Sequence, residues 1–420
     1  MPSNLAERTV GLADYDQLST ALNFAAERKA HGEKIVNFGG GFPPDNLLET
    51  LAAPEIFSGL KIILTDPQKA RLSLQYGESS GIKALREALA AYISRKGGLS
   101  VSADNILITN GLQEGIELAS YALCDPGDII LVSNPTYPGA LQAFSIQDNV
   151  QVWGLPSDND GIITDGIKEA LKIAQREGKK VKMTYCLNVG NPDTSVILTE
   201  KRAEEILELG QKHGFAVFQD DAYDGIIYDG SKTCPPLLYF DPNVIYGGTV
   251  SKGLAPGLRI GWVSAPSEIM PALRGLKTRR SLCGVPLIQA LLAEYIKEGK
   301  YEENIPVIRE EYEKRRNAML SALTNYKEDI TVRPVRAGMF VWAENNYGIN
   351  TEQAAKIILH KHNVVILPGS ACFAKRIIGE EVKNTWMRLN FTNTSPADME
   401  KGASALCEGF REIKSSLSQF

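Results

Sequence analysis

Apolar residues recur along most of this 420-residue chain in a way that predicts helices alternating with buried strands. The segment IKALREALAAYISRKGG has the spacing of an amphipathic helix, and its glycine pair is a helix stop. Short apolar runs then alternate with helical segments such as EKRAEEILELGQKHG. The runs that predict strands are NILIT, DIILV, VKMTYCL, FAVFQDD, NVIYGGTV and LRIGWVSA. Strands this apolar, separated by helices, predict a mostly parallel sheet covered on both faces.

The pattern changes after about Pro286. A long helical region runs to about Asn325, and it is followed by the short segments AGMFVW, VVILPGS and TWMRLNF with helices between and after them. This order predicts a smaller α+β domain. The first 45 or so residues carry the glycine-rich run NFGGGFPPDN, and we expect this segment to lie across the larger body because it cannot fold alone.

Composition narrows the class of protein. The net charge of -5 gives no electrostatic reason to bind nucleic acid or an anionic membrane. The N-terminus has Glu7 and Arg8 where a signal peptide needs apolar residues. Six cysteines without a CxxC pair indicate reduced thiols, and hence a cytoplasmic protein. His360 and His362 are spaced to point to opposite sides of a helix, so no metal site is predicted.

Polar residues follow the predicted strands one after another. The segments after the strands are NGLQEG, SNPTYPG, NVGNPDT, DDAY and TVSKG. In a doubly wound sheet, ligands bind beyond the carboxyl ends of the strands, so these segments should meet. Together they supply a helix N-terminus, an aromatic ring, an asparagine, an aspartate with a tyrosine, and a serine followed by Lys252.

A single ligand explains this set. A helix N-terminus suits a phosphate, and an aromatic side chain can stack on a flat ring. A carboxylate can pair with a protonated ring nitrogen, and a buried lysine of lowered pKa can form an imine with an aldehyde. Phosphate, aromatic ring, basic nitrogen and aldehyde together describe pyridoxal 5'-phosphate (PLP).

The chain resembles the fold-type I, PLP-dependent aminotransferases of class I/II, nearest to the branch of 2-aminoadipate and kynurenine aminotransferases. The resemblance runs from GGGFPP to MRLNF and rests on NP-x-Y, GNP, D-x-A-Y, S-K-x6-R and MR in this order. It implies an α/β fold with a mostly parallel seven-stranded sheet in a large PLP-binding domain, residues 46–290. A smaller α+β domain would span residues 291–420. Residues 1–45 would pack on the small domain and the active site.

The resemblance also implies roles for the residues around the cofactor ring. Lys252 would hold the cofactor as an imine and then move the proton between the substrate Cα and the cofactor. Asp220 would pair with the protonated ring nitrogen; Asp221 competes for this role, but the D-x-A-Y spacing favours Asp220. Tyr223 and Asn191 would donate hydrogen bonds to the phenolic oxygen of the ring, and Asn191 would also contact the substrate.

Other positions are implied to bind the two ends of the ligands. Tyr137 would stack on the ring. The phosphate would be held by the main chain of Leu112 and Gln113 and by Thr249, Ser251 and Arg259. Tyr76 resembles a tyrosine that reaches the phosphate from the neighbouring subunit, which implies a homodimer with shared active sites. Arg388 would grip the substrate carboxylate, and Gly40 would cover the substrate.

One departure from the family pattern leaves the reaction open. Where relatives read NPTG, this chain reads NPDT, with Asp193 and Thr194. Transfer of an amino group from an L-amino acid to a 2-oxo acid, in two half-reactions, is the expected function. Elimination, replacement or oxidation through the same carbanion needs a similar site. A ligand-sensing domain of a DNA-binding regulator is the remote alternative, and a dehydrogenase is excluded because no G-x-G-x-x-G opens the sheet.

Overall fold

The computed structural model describes residues 17–146, 150–190 and 196–417. None of the helices in these ranges is long and apolar enough to cross a membrane. The predicted helix stops are observed, because the helices that begin at Lys83 and Glu200 end at Gly98 and Gly214, which have positive φ values of 79° and 74°. The α-helices are α1 Gln17–Ala30, α2 Asp45–Leu47, α3 Ala53–Thr65, α4 Pro67–Leu74, α5 Lys83–Gly97, α6 Leu112–Leu123, α7 Pro138–Ser145, α8 Thr164–Arg176, α9 Glu200–His213, α10 Met270–Ser281, α11 Pro286–Lys297, α12 Lys300–Thr324, α13 Thr351–His362 and α14 Pro396–Leu417.

The strands fall into one large sheet and two smaller ones. They are β1 Val36–Asn37, β2 Ile106–Asn110, β3 Ile129–Asn134, β4 Gln151–Asp158, β5 Gly161–Ile162, β6 Val181–Leu187, β7 Ala216–Asp220, β8 Ile245–Thr249, β9 Ile260–Ser264, β10 Ile330–Val332, β11 Phe340–Asn345, β12 Val364–Val365, β13 Leu367–Pro368, β14 Arg376–Ile377 and β15 Trp386–Asn390.

The large sheet has the order β14-β4-β3-β6-β7-β8-β9-β2, and β5 pairs with β4. Neighbours along this path are parallel except that β9 is antiparallel to both β8 and β2. The predicted mostly parallel α/β fold is therefore confirmed. Seven strands have five to eight residues, and the two-residue strands β5 and β14 bring the sheet to nine. The apolar pattern missed β4, in which Gly154 and Pro156 interrupt the run.

Both faces of the large sheet are covered, as a parallel sheet requires. Helices α6, α7 and α10 pack on one face, and α5, α8, α9 and α11 pack on the other. Successive residues of a strand point to opposite faces, so Tyr185 contributes to the first core and Cys186 to the second. Because β2, β3, β6, β7 and β8 run in one direction, the segments that follow them meet at one edge.

The second body is built on the antiparallel sheet β10-β11-β15-β13. Helices α12, α13 and α14 share an apolar core with it. The predicted long helical region is two helices, α11 and α12, separated at Gly299 with a φ of 79°. Strand β1 pairs with β12 of this body, with Val36 opposite Val364. The segment after β1 therefore leaves the second body directly toward the edge of the large sheet.

Candidate active site

The edge of the large sheet and the second body enclose a cavity of about 900 Å³. Most of the residues singled out from the sequence line it. They are Gly40, Leu112, Gln113, Tyr137, Asp220, Tyr223, Thr249, Ser251, Lys252, Arg259 and Arg388. Tyr76 does not line this cavity; its side chain is 78% exposed on the surface. Asn191, Asp193 and Thr194 lie outside the described residues.

Lys252 follows β8 and is half-buried, with Nζ directed into the cavity. Its Nζ donates a hydrogen bond to the main-chain oxygen of Gly41 at 2.9 Å. Burial, reinforced by the positive charges of Arg388 and Arg259, lowers the pKa of Lys252 to about 8, although Asp220 acts in the opposite direction. The amine can therefore lose its proton near neutral pH, which is what a nucleophile requires.

Asp220 is the last residue of β7 and is 2% exposed. Its Oδ2 accepts a hydrogen bond from the Tyr185 hydroxyl at 2.6 Å, and its Oδ1 accepts one from the Ala222 amide at 3.0 Å. Burial raises the pKa of Asp220 to about 6, and these two hydrogen bonds limit the rise. Of the two adjacent acids, Asp220 lines the cavity, whereas Asp221 points to the other face of the sheet.

Tyr185 is a part of this site that the sequence analysis missed. It lies on β6, beside β7, and its ring packs against Phe218 with centroids 5.8 Å apart. Its position in the apolar run VKMTYCL predicted a core residue, and its ring does lie in a hydrophobic core. Two-residue alternation would have put its hydroxyl on the cavity side, but only if the adjacency of β6 and β7 had been known.

The first turn of α6 forms one end of the cavity with the segment after β8. Thr249 and Ser251 are buried, and their hydroxyl oxygens are 2.9 Å apart. Arg259 has a φ of 52°, and its Nη2 donates to the Asn110 oxygen at 3.2 Å. Gly111 precedes the helix with a φ of 75°, a backbone conformation that side chains other than glycine rarely adopt. Free helix amides, two hydroxyls and a guanidinium are donors suited to a phosphate.

Arg388 enters the cavity from β15 of the second body and is 3% exposed. Its Nη2 donates to the Gly39 oxygen at 3.1 Å, and its Cζ lies 3.9 Å from the centre of the Phe340 ring. Its buried Nε has no hydrogen-bond partner among the described residues. A buried guanidinium with an unused N–H suits a carboxylate ligand. The sequence analysis did not identify Phe340 or the carbonyls of Gly39 and Gly41.

Two tyrosines and a glycine complete the predicted set. Tyr223 is buried, and its ring meets that of Phe340 edge to face with centroids 6.3 Å apart. Tyr137 immediately precedes α7 and is 36% exposed. Gly40 is held by a hydrogen bond of 3.1 Å from its amide to Asn37 Oδ1. The N-terminal segment thus reaches Lys252, Arg388 and the cavity wall through its main chain.

Comparison with known proteins identifies the family. The model of "Aminotransferase class I and II" matches residues 33–406. The chain belongs to this family. This aminotransferase is 35% identical to aromatic-amino-acid aminotransferase 1 of Thermococcus litoralis over 383 residues, 90% of this chain and 88% of that protein. It is 31% identical to 2-aminoadipate transaminase of Thermus thermophilus, over 81% of this chain and 82% of that one.

A solved kynurenine aminotransferase from Pyrococcus horikoshii has a TM-score of 0.84 and 32% identity, over 95% of each chain. The predicted family, fold type and branch are confirmed by these matches. This aminotransferase depends on PLP, and transamination is its reaction. The cavity fits that cofactor, because it brings together an amine of lowered pKa, a buried carboxylate and a set of phosphate donors.

Proposed function

We propose that Lys252 binds PLP covalently and that Asp220 pairs with the nitrogen of its ring. The observation that carries this proposal is that the amine and the carboxylate line one cavity, where burial lowers the pKa of Lys252 and raises that of Asp220. A carboxylate facing a protonated ring nitrogen in a buried site keeps that proton in place. Tyr185, through its hydrogen bond to Asp220 Oδ2, holds the carboxylate in the orientation that this pairing needs.

The remaining donors bind the other parts of the cofactor. The amides at the start of α6, Thr249, Ser251 and Arg259 hold the phosphate. Tyr137 covers one face of the ring. Tyr223 and Asn191 donate to its phenolic oxygen, with Asn191 assigned by the GNP motif alone. These groups fix the cofactor at both ends, so its reactive carbon stays beside Lys252.

The reaction proceeds by a ping-pong mechanism with two half-reactions. The bound cofactor supplies an electron sink for the carbanion that forms at the substrate Cα. Arg388 holds the substrate carboxylate, and the amine of Lys252, released by the incoming substrate, takes the proton from Cα. The first product is a 2-oxo acid, whose oxo oxygen would come from water, and the amino nitrogen would stay on the bound cofactor. A second 2-oxo acid would then bind at Arg388 and receive that nitrogen.

The protein acts as a homodimer with shared active sites. Several exposed apolar side chains lie on α3, on α4 and in the segment that leads into α11; they are Phe57, Ile62, Leu64, Leu72, Leu74, Leu282 and Val285. Exposed apolar side chains concentrated in one region support an interface, and a second copy of this chain would cover them. Tyr76 lies two residues after α4 and is 78% exposed. We assign it to the phosphate of the partner subunit.

The amino donors include aromatic L-amino acids. Besides the polar groups, the cavity has apolar lining residues, among them Leu141, Val150, Val152 and Phe373. The volume of the whole cavity, about 900 Å³, leaves room for a large apolar side chain beside the cofactor. The relative from Thermococcus litoralis, which is named for aromatic amino acids, supports the same assignment.

A single-turnover experiment tests both the residues and the donor class. The holoenzyme is mixed with one amino acid at a time and no 2-oxo acid, and pyridoxamine phosphate and the 2-oxo acid are quantified. Phenylalanine, tyrosine, leucine, 2-aminoadipate and aspartate are compared. We expect one equivalent of 2-oxo acid per site, formed fastest from the aromatic donors. A site that responds best to aspartate or 2-aminoadipate would contradict the proposed donor class.

A further inference from the structure

The two adjacent acids at the end of β7 face opposite sides of the large sheet. Asp220 faces the cavity, and Asp221 is 4% exposed on the far side, in the core shared with α5. The peptide between them is held on both sides. The Asp220 oxygen accepts from the Asn188 amide at 2.8 Å, and the Asp221 amide donates to the Gly247 oxygen at 2.9 Å. The position of one carboxylate is therefore coupled to that of the other.

Three elements supply the partners of the Asp221 carboxylate. Its Oδ1 accepts from Asn188 Nδ2 at 3.0 Å, directly after β6. Its Oδ2 accepts from the Tyr246 hydroxyl of β8 at 2.7 Å and lies 3.5 Å from Lys96 Nζ of α5. A carboxylate this buried is costly unless it is paired, and all three partners contribute to that pairing.

Lys96 connects this carboxylate to a third acid, because its ammonium also forms an ion pair with Asp224. It lies over the Tyr92 ring, 4.7 Å from the centroid. The other titratable groups around it are Tyr246, Tyr301, Tyr239 and, lining a second cavity of about 300 Å³ with Lys96, Glu200 and Cys234. Burial opposes the charge of Lys96, but Asp224, Tyr246 and Asp221 outweigh it and raise its pKa well above the usual value.

We propose that Lys96 and Asp221 are positioning residues that act through Asp220 from the opposite face of the sheet. Their charges set how strongly the site holds protons on the bound cofactor. The inference rests on the proposed pairing of Asp220 with the cofactor ring. It goes beyond that pairing, because neither Lys96 nor Asp221 lines the cofactor cavity.

The charges of Lys96, Asp221 and Asp224 give the direction in which the proton affinity of the cofactor site should change. One ammonium and two carboxylates behind Asp220 leave one net negative charge, which favours protonated groups nearby. Asp221→Asn removes that net charge and should lower the proton affinity of the cofactor site. The double variant Lys96→Met/Asp221→Asn leaves only the Asp224 carboxylate, so the net charge returns to that of the wild type.

The test is a pH titration of the absorbance of the bound cofactor. For Asp221→Asn we expect the midpoint to fall by about one pH unit, which corresponds to roughly 1.4 kcal/mol of lost interaction with one negative charge. The double variant should return to within about 0.3 pH unit of wild type. The dissociation constant of the cofactor, from equilibrium dialysis, should rise about tenfold in Asp221→Asn and recover in the double variant.

Asp329→Asn is the matched control, because Asp329 is also a buried acid paired with a cation, Arg411, but in the second body. Its midpoint should equal that of the wild type. If Asp221→Asn does not fold, Asp224→Asn removes the same charge from a more exposed position and should shift the midpoint in the same direction. An unshifted midpoint in these variants, or a double variant that stays shifted, would overturn the inference. If the wild type shows no proton-dependent absorbance from a cofactor linked to Lys252, the proposed function fails, and this inference falls with it.

Discussion

Replacing Lys252 by methionine should stabilise the apoprotein while abolishing activity. The half-buried ammonium is held in a cavity that disfavours its charge, and its pKa is lowered from 10.5 to about 8. At neutral pH this difference corresponds to roughly 3 kcal/mol of unfavourable free energy in the folded state. Methionine fills a similar volume without charge, but it loses the hydrogen bond from Nζ to Gly41, worth about 1 kcal/mol. The expected net gain is about 2 kcal/mol.

The difference in stability between Lys252→Met and the wild type should also depend on pH. Because the folded pKa of Lys252 is lower than the unfolded one, its penalty is complete below pH 8 and fades as pH rises toward 10.5. The advantage of Lys252→Met over the wild type should therefore shrink between pH 8 and pH 10. Equilibrium urea unfolding of both apoproteins at pH 7 and at pH 9.5 measures it.

Lys277→Met is the matched control of opposite sign. Lys277 is fully buried, whereas Lys252 is half-buried, and its Nζ donates to Glu114 Oε2 at 2.7 Å, so its removal leaves a carboxylate without its cation. We expect a loss of about 3 kcal/mol there. If Lys252→Met lowers the free energy of unfolding as Lys277→Met does, the inference that the charge of Lys252 destabilises the folded protein is wrong.

Three further experiments test other parts of the site. Arg388→Met should lower kcat/KM for every amino donor about 100-fold, since a charge-assisted carboxylate contact is lost; an effect confined to some donors would contradict this role. Tyr185→Phe removes a donor that lowers the pKa of Asp220, so this pKa should rise above about 6 and the cofactor dissociation constant, measured by dialysis, should increase more at pH 6 than at pH 8. Tyr76→Ala and Lys252→Ala are each expected to be inactive alone; refolding them together should restore activity in mixed dimers, and no recovery would argue against shared sites.

Much of the fold could be predicted because its strands are apolar runs bounded by glycine or polar turns. The runs that form β2, β3, β6, β7, β8 and β9 are all present as strands. Strand β4 could not be found this way, since Gly154 and Pro156 break its pattern and its position is fixed by pairing with β3. Short strands such as β14 exist only because the chain returns to the sheet from a distant segment.

The cavity residues could be predicted from the sequence where they belong to a family motif. Asp220 and Lys252 do so at or just after strand ends and Arg388 within β15, and the structure brings all three to one cavity. Tyr185 and Phe340 carry none, because each is an aromatic residue in an apolar strand and acquires its role from a neighbour on another strand. Main-chain groups such as the Gly39 oxygen cannot be read from residue type at all.

The covalent attachment of the cofactor at Lys252 is the claim on which the account depends most. Reducing the holoenzyme with borohydride fixes the cofactor to its lysine, and mass spectrometry of the peptides then locates it. The account predicts a phosphopyridoxyl group on Lys252 at close to one equivalent per chain, and none after the amino donor has converted the cofactor to its amine form. Labelling of another lysine, such as Lys96 or Lys277, or no labelling at all, would contradict it.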